Sequence, residues 1–317
     1  MIKIGNIEPS LRHDYSDVAV ILPAHNEGVA VEETIQGFLR ALPGCAVVVC
    51  DNASTDDTAR VAQRAGAVVI NEPVLGKGNA MRRLLATVEA DIYVMADADA
   101  TYEADTAREM IELMERQHLD MVTGVRIHTD KMAYRCGHIW GNKLFNRLFG
   151  GLFKTHTQDV FSGYRVLSGR FARALPVQAA GFEIETEMTA VAAVLKLATG
   201  ELPVNYYPRP AGSFSKLHTY KDGARILRTY VRLLRHFHPK TFYGFLSVLA
   251  VLGSLMVGVP VILEFIETGL VPRFPSAILA SSLGVIAVLL LMLGLLLESL
   301  AKNRVEQRQL MLLLKDR

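Results

Sequence analysis

The chain is 317 residues long and half hydrophobic, with 34 lysines and arginines against 32 acidic residues, a net charge of +2. A balance this even offers no basic surface for nucleic acid, so a nucleic-acid partner is not expected. Cys45, Cys50 and Cys136 show no metal or disulfide spacing, and Met1 to Asp17 has no apolar core that would read as a signal peptide. Val18-Ala19-Val20-Ile21-Leu22-Pro23 reads as a buried strand, followed by Ala24-His25-Asn26-Glu27 and a helical pattern from Val29 to Leu42. Continuous apolar runs of this kind mark strands covered on both faces. Ala46 to Cys50 is the next, leading through Asp51-Asn52-Ala53-Ser54-Thr55-Asp56-Asp57-Thr58 into another helix. A short strand at Ala67 to Ile70 precedes Gly76-Lys77-Gly78-Asn79 and a helix over Ala80 to Val88. Ile92-Tyr93-Val94-Met95-Ala96 is expected to be a central strand delivering Asp97-Ala98-Asp99, and Leu119 to Gly124 a further strand. Repetition of strand, polar loop and helix predicts parallel βαβ units, with a ligand crevice at the carboxyl ends of the strands.

Asp97 and Asp99 stand at such an end, and side chains two apart on an extended chain point the same way. Two hard oxygen ligands suit Mg²⁺ or Mn²⁺ carrying a diphosphate. The bland alternative is a turn or a cap, which Asp-x-Asp also serves. Asp51 and the Ser54 to Thr58 run have two readings as well, a ligand loop or simply a loop with a helix cap. Gly76-Lys77-Gly78 lacks the spacing of a Walker loop; it is either a tight turn into a helix or an anion site using N–H groups and Lys77.

Taken together, Pro23-x-x-Asn26-Glu27, Asp51-Asn52-x-Ser54-x-Asp56, Gly76-Lys77-Gly78-Asn79, Asp97-x-Asp99 and Ser162-Gly163-Tyr164-Arg165 resemble the family 2 glycosyltransferases of the GT-A fold. The pattern is most similar to the polyprenyl-phosphate sugar synthases, the dolichyl-phosphate mannose synthase and GtrB-type group, over about Asp17 to Leu217. The resemblance implies that Pro23, Asn26, Glu27 and Asp51 line a nucleoside pocket, with Asp51 taking the base, and that Asp97 and Asp99 hold metal and diphosphate. It also implies an inverting reaction and an acidic residue near the reacting centre, here Asp159. Gly212-Ser213-Phe214-Ser215-Lys216-Leu217 resembles the family's Gly-x-Ser-Lys-Leu signature with one residue inserted.

Phe242 to Leu263 and Ser276 to Leu297 are uncharged runs of 22 residues each, and mean hydropathy is +0.24. Each run exceeds the ~20 residues that cross a hydrocarbon core. Lys221, Arg225, Arg228, Arg232, Arg235 and Lys240 precede the first run, and Lys302, Arg304, Arg308, Lys315 and Arg317 follow the second, against Arg273 alone between them. The positive-inside rule then places both termini and the catalytic part in the cytoplasm, on the inner membrane. Tyr220 to Phe237 alternates basic and apolar residues at helical spacing, which suggests an interfacial helix on anionic headgroups or a helix packed on the globular part. Small residues at Gly253-Ser254, Gly258 and Ala280 to Gly284 are expected to permit a homo-oligomer.

A polyprenyl phosphate acceptor is already ionised near neutral pH, a phosphate monoester having a second pKa of about 6. Unlike a hydroxyl it needs no general base, only cations. Arg126, Arg165 and Lys216 are the candidates. Glu183, Glu185 and Glu187 read as a solvated helix start. The expected architecture is thus α/β: a GT-A Rossmann-like nucleotide-sugar domain (1–218), a juxtamembrane amphipathic helix (219–240), a two-helix transmembrane hairpin (241–300) and a basic tail (301–317). The expected function is transfer of a sugar from a UDP- or GDP-linked donor to an undecaprenyl-type phosphate. The alternatives are transfer to a lipid or polysaccharide hydroxyl, or a non-catalytic adaptor retaining the fold.

Overall fold

A computed structural model describes residues 14–128, 136–155, 157–177, 179, 181, 183–210 and 219–314. The chain divides into two compact units that meet in sequence between Thr219 and Tyr220. The first is built on a seven-stranded sheet. Its strands are β1 (Val18–Ala24), β2 (Ala46–Asp51), β3 (Val68–Asn71), β4 (Ile92–Met95), β5 (Met121–His128), β6 (Arg165–Ser168) and β7 (Thr199–Tyr206), in the order β3-β2-β1-β4-β6-β5-β7.

The expected parallel units are present from β3 to β4, all four strands running the same way. Beyond β4 the pattern changes, because β6 inserts antiparallel between β4 and β5 while β7 runs parallel to β5. The sheet is therefore mixed, and the reversal matters for the site. Arg165 pairs with Met95, so the loop leading into β6 arrives at the carboxyl end of β4, beside Asp97 and Asp99. Likewise Val204 pairs with Arg126 and Tyr206 with His128, so β7 delivers the segment after it to the same edge.

Helices α1 (Val31–Ala41), α2 (Thr58–Arg64), α3 (Lys77–Thr87), α4 (Thr106–Gln117), α5 (Cys136–Phe153), α6 (Gly169–Ala174) and α7 (Ile184–Leu195) complete this unit. Where a helix covers the sheet, its buried residues follow the 3.6 period: Val31, Ile35 and Phe38 in α1, Ala107, Met110, Ile111 and Met114 in α4. All four residues of β4 are buried, as a strand covered on both faces requires.

The second unit contains α8 (Thr219–Phe237), α9 (Pro239–Thr268) and α10 (Phe274–Leu314). Helices α9 and α10 are each long and apolar enough to cross a membrane. At ~1.5 Å per residue, the 41 residues of α10 reach about 60 Å, well past a ~30 Å hydrocarbon core.

The small residues set aside for oligomerisation serve another purpose. Ser254 Oγ donates to Ala280 O and Ser247 Oγ to Ala287 O, both at 2.7 Å, and a Cβ on Gly258 would stand 3.2 Å from that of Ala280. Small residues and hydroxyls at a helix contact let backbones approach and bond across it. Here that contact is between α9 and α10 of one chain, which removes the argument for an oligomer drawn from these positions. At the other end of the contact, a Cβ on Gly294 would meet Tyr243 Cβ at 3.0 Å and Lys240 Cα at 3.5 Å, whereas Gly244 has nothing within 4 Å. Overpacking typically costs ~1–3 kcal/mol. Gly294→Leu is therefore expected to lower the thermal unfolding midpoint of purified protein in detergent by several degrees, and Gly244→Leu to leave it unchanged. Equal midpoints for both variants would contradict this packing.

Candidate functional site

Strand β4 stops at Met95, and Asp97 and Asp99 lie in the turn just beyond it rather than on extended chain. Their carboxylates are claimed by different cations. Lys77, from the first turn of α3, bonds Asp97 Oδ1 and also sits 2.5 Å from Glu185 Oε1 on α7. Arg209 Nη2 lies 2.7 Å from Asp99 Oδ2, while its Nη1 donates to Glu27 Oε1 at 3.3 Å. Asp99 is buried and also accepts from Thr101 Oγ1 at 2.6 Å.

Burial and repulsion from Asp97 push the Asp99 carboxyl up, against the pull of Arg209. Burial also works to raise Asp97, but Lys77 holds it below the usual range. Lys77 is itself raised: burial would lower it, and Asp97 and Glu185 outweigh that. Gly163 makes this arrangement sterically possible. A Cβ there would stand 2.6 Å from Asp97 Oδ2 and 3.1 Å from Lys77 Nζ.

The loops after β1 and β2 stitch to each other. Asn26, at φ 53, accepts from Thr55 N at 2.7 Å while its own N–H donates to Ser54 Oγ at 3.0 Å. Asp56 accepts from Gly28 N and Thr58 N, and these bonds hold its carboxyl low despite burial. Asn52 ties in the third loop, donating to Glu72 O and Val74 O and accepting from Gly76 N. Gly76 has φ 142, open in practice to glycine, and turns the chain into α3. The loop-structure reading of the Asp51 to Thr58 segment accounts for most of its polar groups. Asn52, Ser54 and Asp56 are spent on loop structure, whereas Asp51 Oδ1 is buried without a hydrogen-bond partner among the described residues. A buried acceptor left unpaired is costly unless a ligand supplies the donor.

Arg126, at the carboxyl end of β5, forks onto Asp159: Nε to Oδ2 at 2.7 Å and Nη2 to Oδ1 at 2.8 Å. Its guanidinium lies 5.6 Å from the centroid of Tyr206, whose ring packs edge-on to Tyr102. Arg165 departs from expectation. It is fully buried, donating to Ser162 O, Val160 O and Thr189 Oγ1 at 2.8 to 3.0 Å. Burial draws it down to about 10. It braces the Asp159 to Ser162 loop from beneath and presents no donor outward. Lys216 lies outside the described residues.

Three residues stand outside the expected set: Glu185, Glu187 and Arg209. Glu185 and Glu187 are buried, not a solvated helix start: Glu185 holds Lys77, and Glu187 accepts from Ala179 N at 2.8 Å. The signal was available, since Ala190 to Leu195 is apolar throughout and a helix of that kind is buried. Arg209 stands between Pro208 and Pro210, a rigid presentation just after β7 that belongs to none of the motifs. Among the described residues no three His, Cys, Asp or Glu side chains group as a metal cage. The adjacent, mutually repelling Asp97 and Asp99 still fit a cation that takes most of its ligands from phosphate and water.

The Glycosyl transferase family 2 profile matches residues 19–174. The chain is similar to Glycosyltransferase AglJ of Haloferax volcanii, at 31% identity over 230 residues, 72% of this chain and 75% of that protein. It is also similar to a Dolichyl-phosphate hexose transferase of the same organism, at 27% identity over 70% of this chain and 95% of that protein. Protein RfbJ of Shigella flexneri is 46% identical over 38% of this chain and 95% of its own length. Among solved structures, glucosyl-3-phosphoglycerate synthase of Mycobacterium tuberculosis, crystallised with Mn²⁺, UDP-glucose and phosphoglyceric acid, superposes with a TM-score of 0.54. At 23% identity over 68% of this chain and 78% of that one, it shares the fold.

Breaking a buried ion pair by removing one partner typically costs ~3–5 kcal/mol, because a charge is left buried alone. Lys77→Met is expected to destabilise by that order. Adding Glu185→Leu should recover part of the loss, and chemical denaturation of the two single variants and the double measures this coupling. Strictly additive losses would contradict the shared pairing.

Proposed function

The chain belongs to glycosyltransferase family 2, and from that premise we propose that it transfers a sugar from a nucleotide sugar to a polyprenyl phosphate at the cytoplasmic face of a membrane. The observation that carries the donor half is the set of carboxylates at one sheet edge: Asp51, with an oxygen unpaired among the described residues, and Asp97 beside Asp99. Asp51 takes an N–H of the base, within a pocket lined by Pro23, Asn26 and Glu27. Asp97 and Asp99 hold Mg²⁺ or Mn²⁺ together with the donor diphosphate. Such a cation supplies the charge that stabilises the leaving diphosphate. The complex of the mycobacterial synthase with Mn²⁺ and UDP-glucose supports this assignment of metal and donor class. Lys77, kept charged by Asp97 and Glu185, adds a second positive charge at the same edge.

The acceptor half rests on cations and on the name of the Haloferax dolichyl-phosphate hexose transferase. Arg126, aimed by Asp159, binds the acceptor phosphate, and Lys216 joins it. Arg165 positions the Asp159 loop. One oxygen of the acceptor phosphate bonds to the anomeric carbon as the bond from that carbon to the nucleoside diphosphate breaks. The electron pair leaves on the diphosphate and no proton moves. Helices α9 and α10 form a hairpin with both termini on the cytoplasmic side, by the excess of basic residues at that end. A second reading, transfer to a hydroxyl, is favoured by one observation: Glu185 Oε2 is buried without a hydrogen-bond partner among the described residues, and burial raises that carboxyl. In that reading Glu185 would be the base.

Asp99→Ala is expected to abolish transfer in a folded protein, a loss on the order of 10²–10³ or more. Full turnover by this variant, or by wild type in excess EDTA, would sink the metal assignment. The acceptor is tested with purified enzyme, a nucleotide sugar and either polyprenyl phosphate or the free polyprenol. Only the phosphate should be used, and Arg126→Ala and Lys216→Ala should each lower kcat/KM at least tenfold, about 1.4 kcal/mol. Equal use of the alcohol, lost in Glu185→Gln, would establish the hydroxyl reading instead.

A further inference from the structure

The first unit contains a second concavity, a cavity of about 470 Å³, within the roughly 300–1,000 Å³ of small-molecule sites. Its lining includes none of the carboxylates or cations that meet around Asp97 and Asp99. The floor is sheet: Thr123 of β5 pairs with Glu201 of β7, and paired residues of neighbouring strands present their side chains to the same face. Thr189 of α7 and Lys196 at its end, seven apart and so on one side of the helix, form a wall. Lys154, just after α5, and Thr157 close the opposite side.

Part of this lining is already committed. Thr189 Oγ1 accepts from Arg165 at 2.9 Å and donates to Glu185 O at 3.1 Å. Glu201 Oε1 accepts from Thr157 Oγ1 at 2.8 Å and Gln158 N at 2.9 Å, which fixes the carboxylate. Other groups are left over. Among the described residues the hydroxyl of Thr123, a buried residue, makes no hydrogen bond, Glu201 Oε2 accepts none, and neither Lys154 nor Lys196 forms an ion pair. Both lysines hold a left-handed backbone, at φ 52 and φ 57, where a helix end usually carries glycine. A side chain is kept at each position despite the conformational cost.

These groups define the occupant by what they lack. Glu201 Oε2 requires a donor, Thr123 can give or take a hydrogen bond, and two ammonium groups require an anion. Hydroxyls and a compact anion on one small molecule meet all three demands. We propose that the cavity framed by Thr123, Glu201, Lys154 and Lys196 binds a phosphorylated monosaccharide, its ring hydroxyls on Glu201 and Thr123 and its phosphate between the two lysines. The site is separate from the donor and acceptor crevice, and it stands whichever acceptor the enzyme uses. Through Thr157 and Gln158 it adjoins the loop whose Asp159 aims Arg126.

The test is saturation-transfer NMR of the full chain in detergent, with glucose 1-phosphate, glucose 6-phosphate and glucose as probes. At least one of the two sugar phosphates should receive saturation at its ring protons, and glucose should receive far less. The signal should persist when UDP and Mg²⁺ are added. Lys154→Met with Lys196→Met should weaken binding on the order of tenfold or more, since hydrogen bonds to charged groups are the stronger kind. The paired arginine replacements should keep most of it. Thr123→Val, which preserves shape and removes the hydroxyl, should weaken it as well. Absence of saturation in both sugar phosphates would overturn the site, as would equal signals from glucose. Displacement by UDP and Mg²⁺ would place the ligand in the donor crevice instead, and wild-type binding by the methionine pair would remove the lysines from the site. Either result contradicts the proposal.

Discussion

Four carboxylates at one sheet edge, Glu27, Asp97, Asp99 and Glu185, are held together by two cations, Lys77 and Arg209, and the rest of the first unit is arranged to make that possible. Charges of one sign brought out of water cannot stay close without compensation; the desolvation cost of each ion is several kcal/mol. The pairing links five parts of the chain: the loop after β1, the turn after β4, the start of α3, the start of α7 and the segment after β7. The antiparallel insertion of β6 is part of the same solution, because it brings Gly163 against Asp97 and Lys77, where no side chain fits. A second pair, Arg126 with Asp159, stands beside this network on the edge that the nucleotide crevice of an α/β sheet uses.

Local pattern carried a great deal of this. The apolar runs predicted β1 to β5, their carboxyl ends predicted the edge where the polar loops converge, and the two uncharged stretches matched α9 and α10. What escaped depended on contacts far apart in sequence. Arg165 and Arg126 look alike as basic residues at strand ends, yet one is sealed under the Asp159 loop and the other forks onto Asp159 itself. Glu185 looks like an ordinary acidic helix start, and only the packing of α7 buries it against a lysine more than 100 residues earlier. The small residues of the hairpin show the same limit. Composition marks them as contact positions, but whether the contact is within one chain or between two is a matter of tertiary geometry.

The proposed chemistry follows from which charges are available at that edge. Among the described residues Asp51 is left with an unpaired oxygen while its neighbours are spent on loop structure, and Asp97 and Asp99 repel each other. In the proposed reading the edge offers an acceptor for a base and a seat for a divalent cation. The proposed acceptor side is cationic, and Glu185, the buried carboxylate that could serve as a base there, has one oxygen on Lys77. A nucleophile that arrives already ionised suits such a site better than one that must first lose a proton.

The chemistry of the site turns on which atom of the acceptor receives the sugar, and ³¹P NMR of the reaction observes the atom directly. With purified protein, a nucleotide sugar and polyprenyl phosphate, the account predicts that the phosphate monoester signal of the lipid is replaced by a phosphodiester signal as the donor is consumed. Consumption of the donor with the monoester signal unchanged would contradict it.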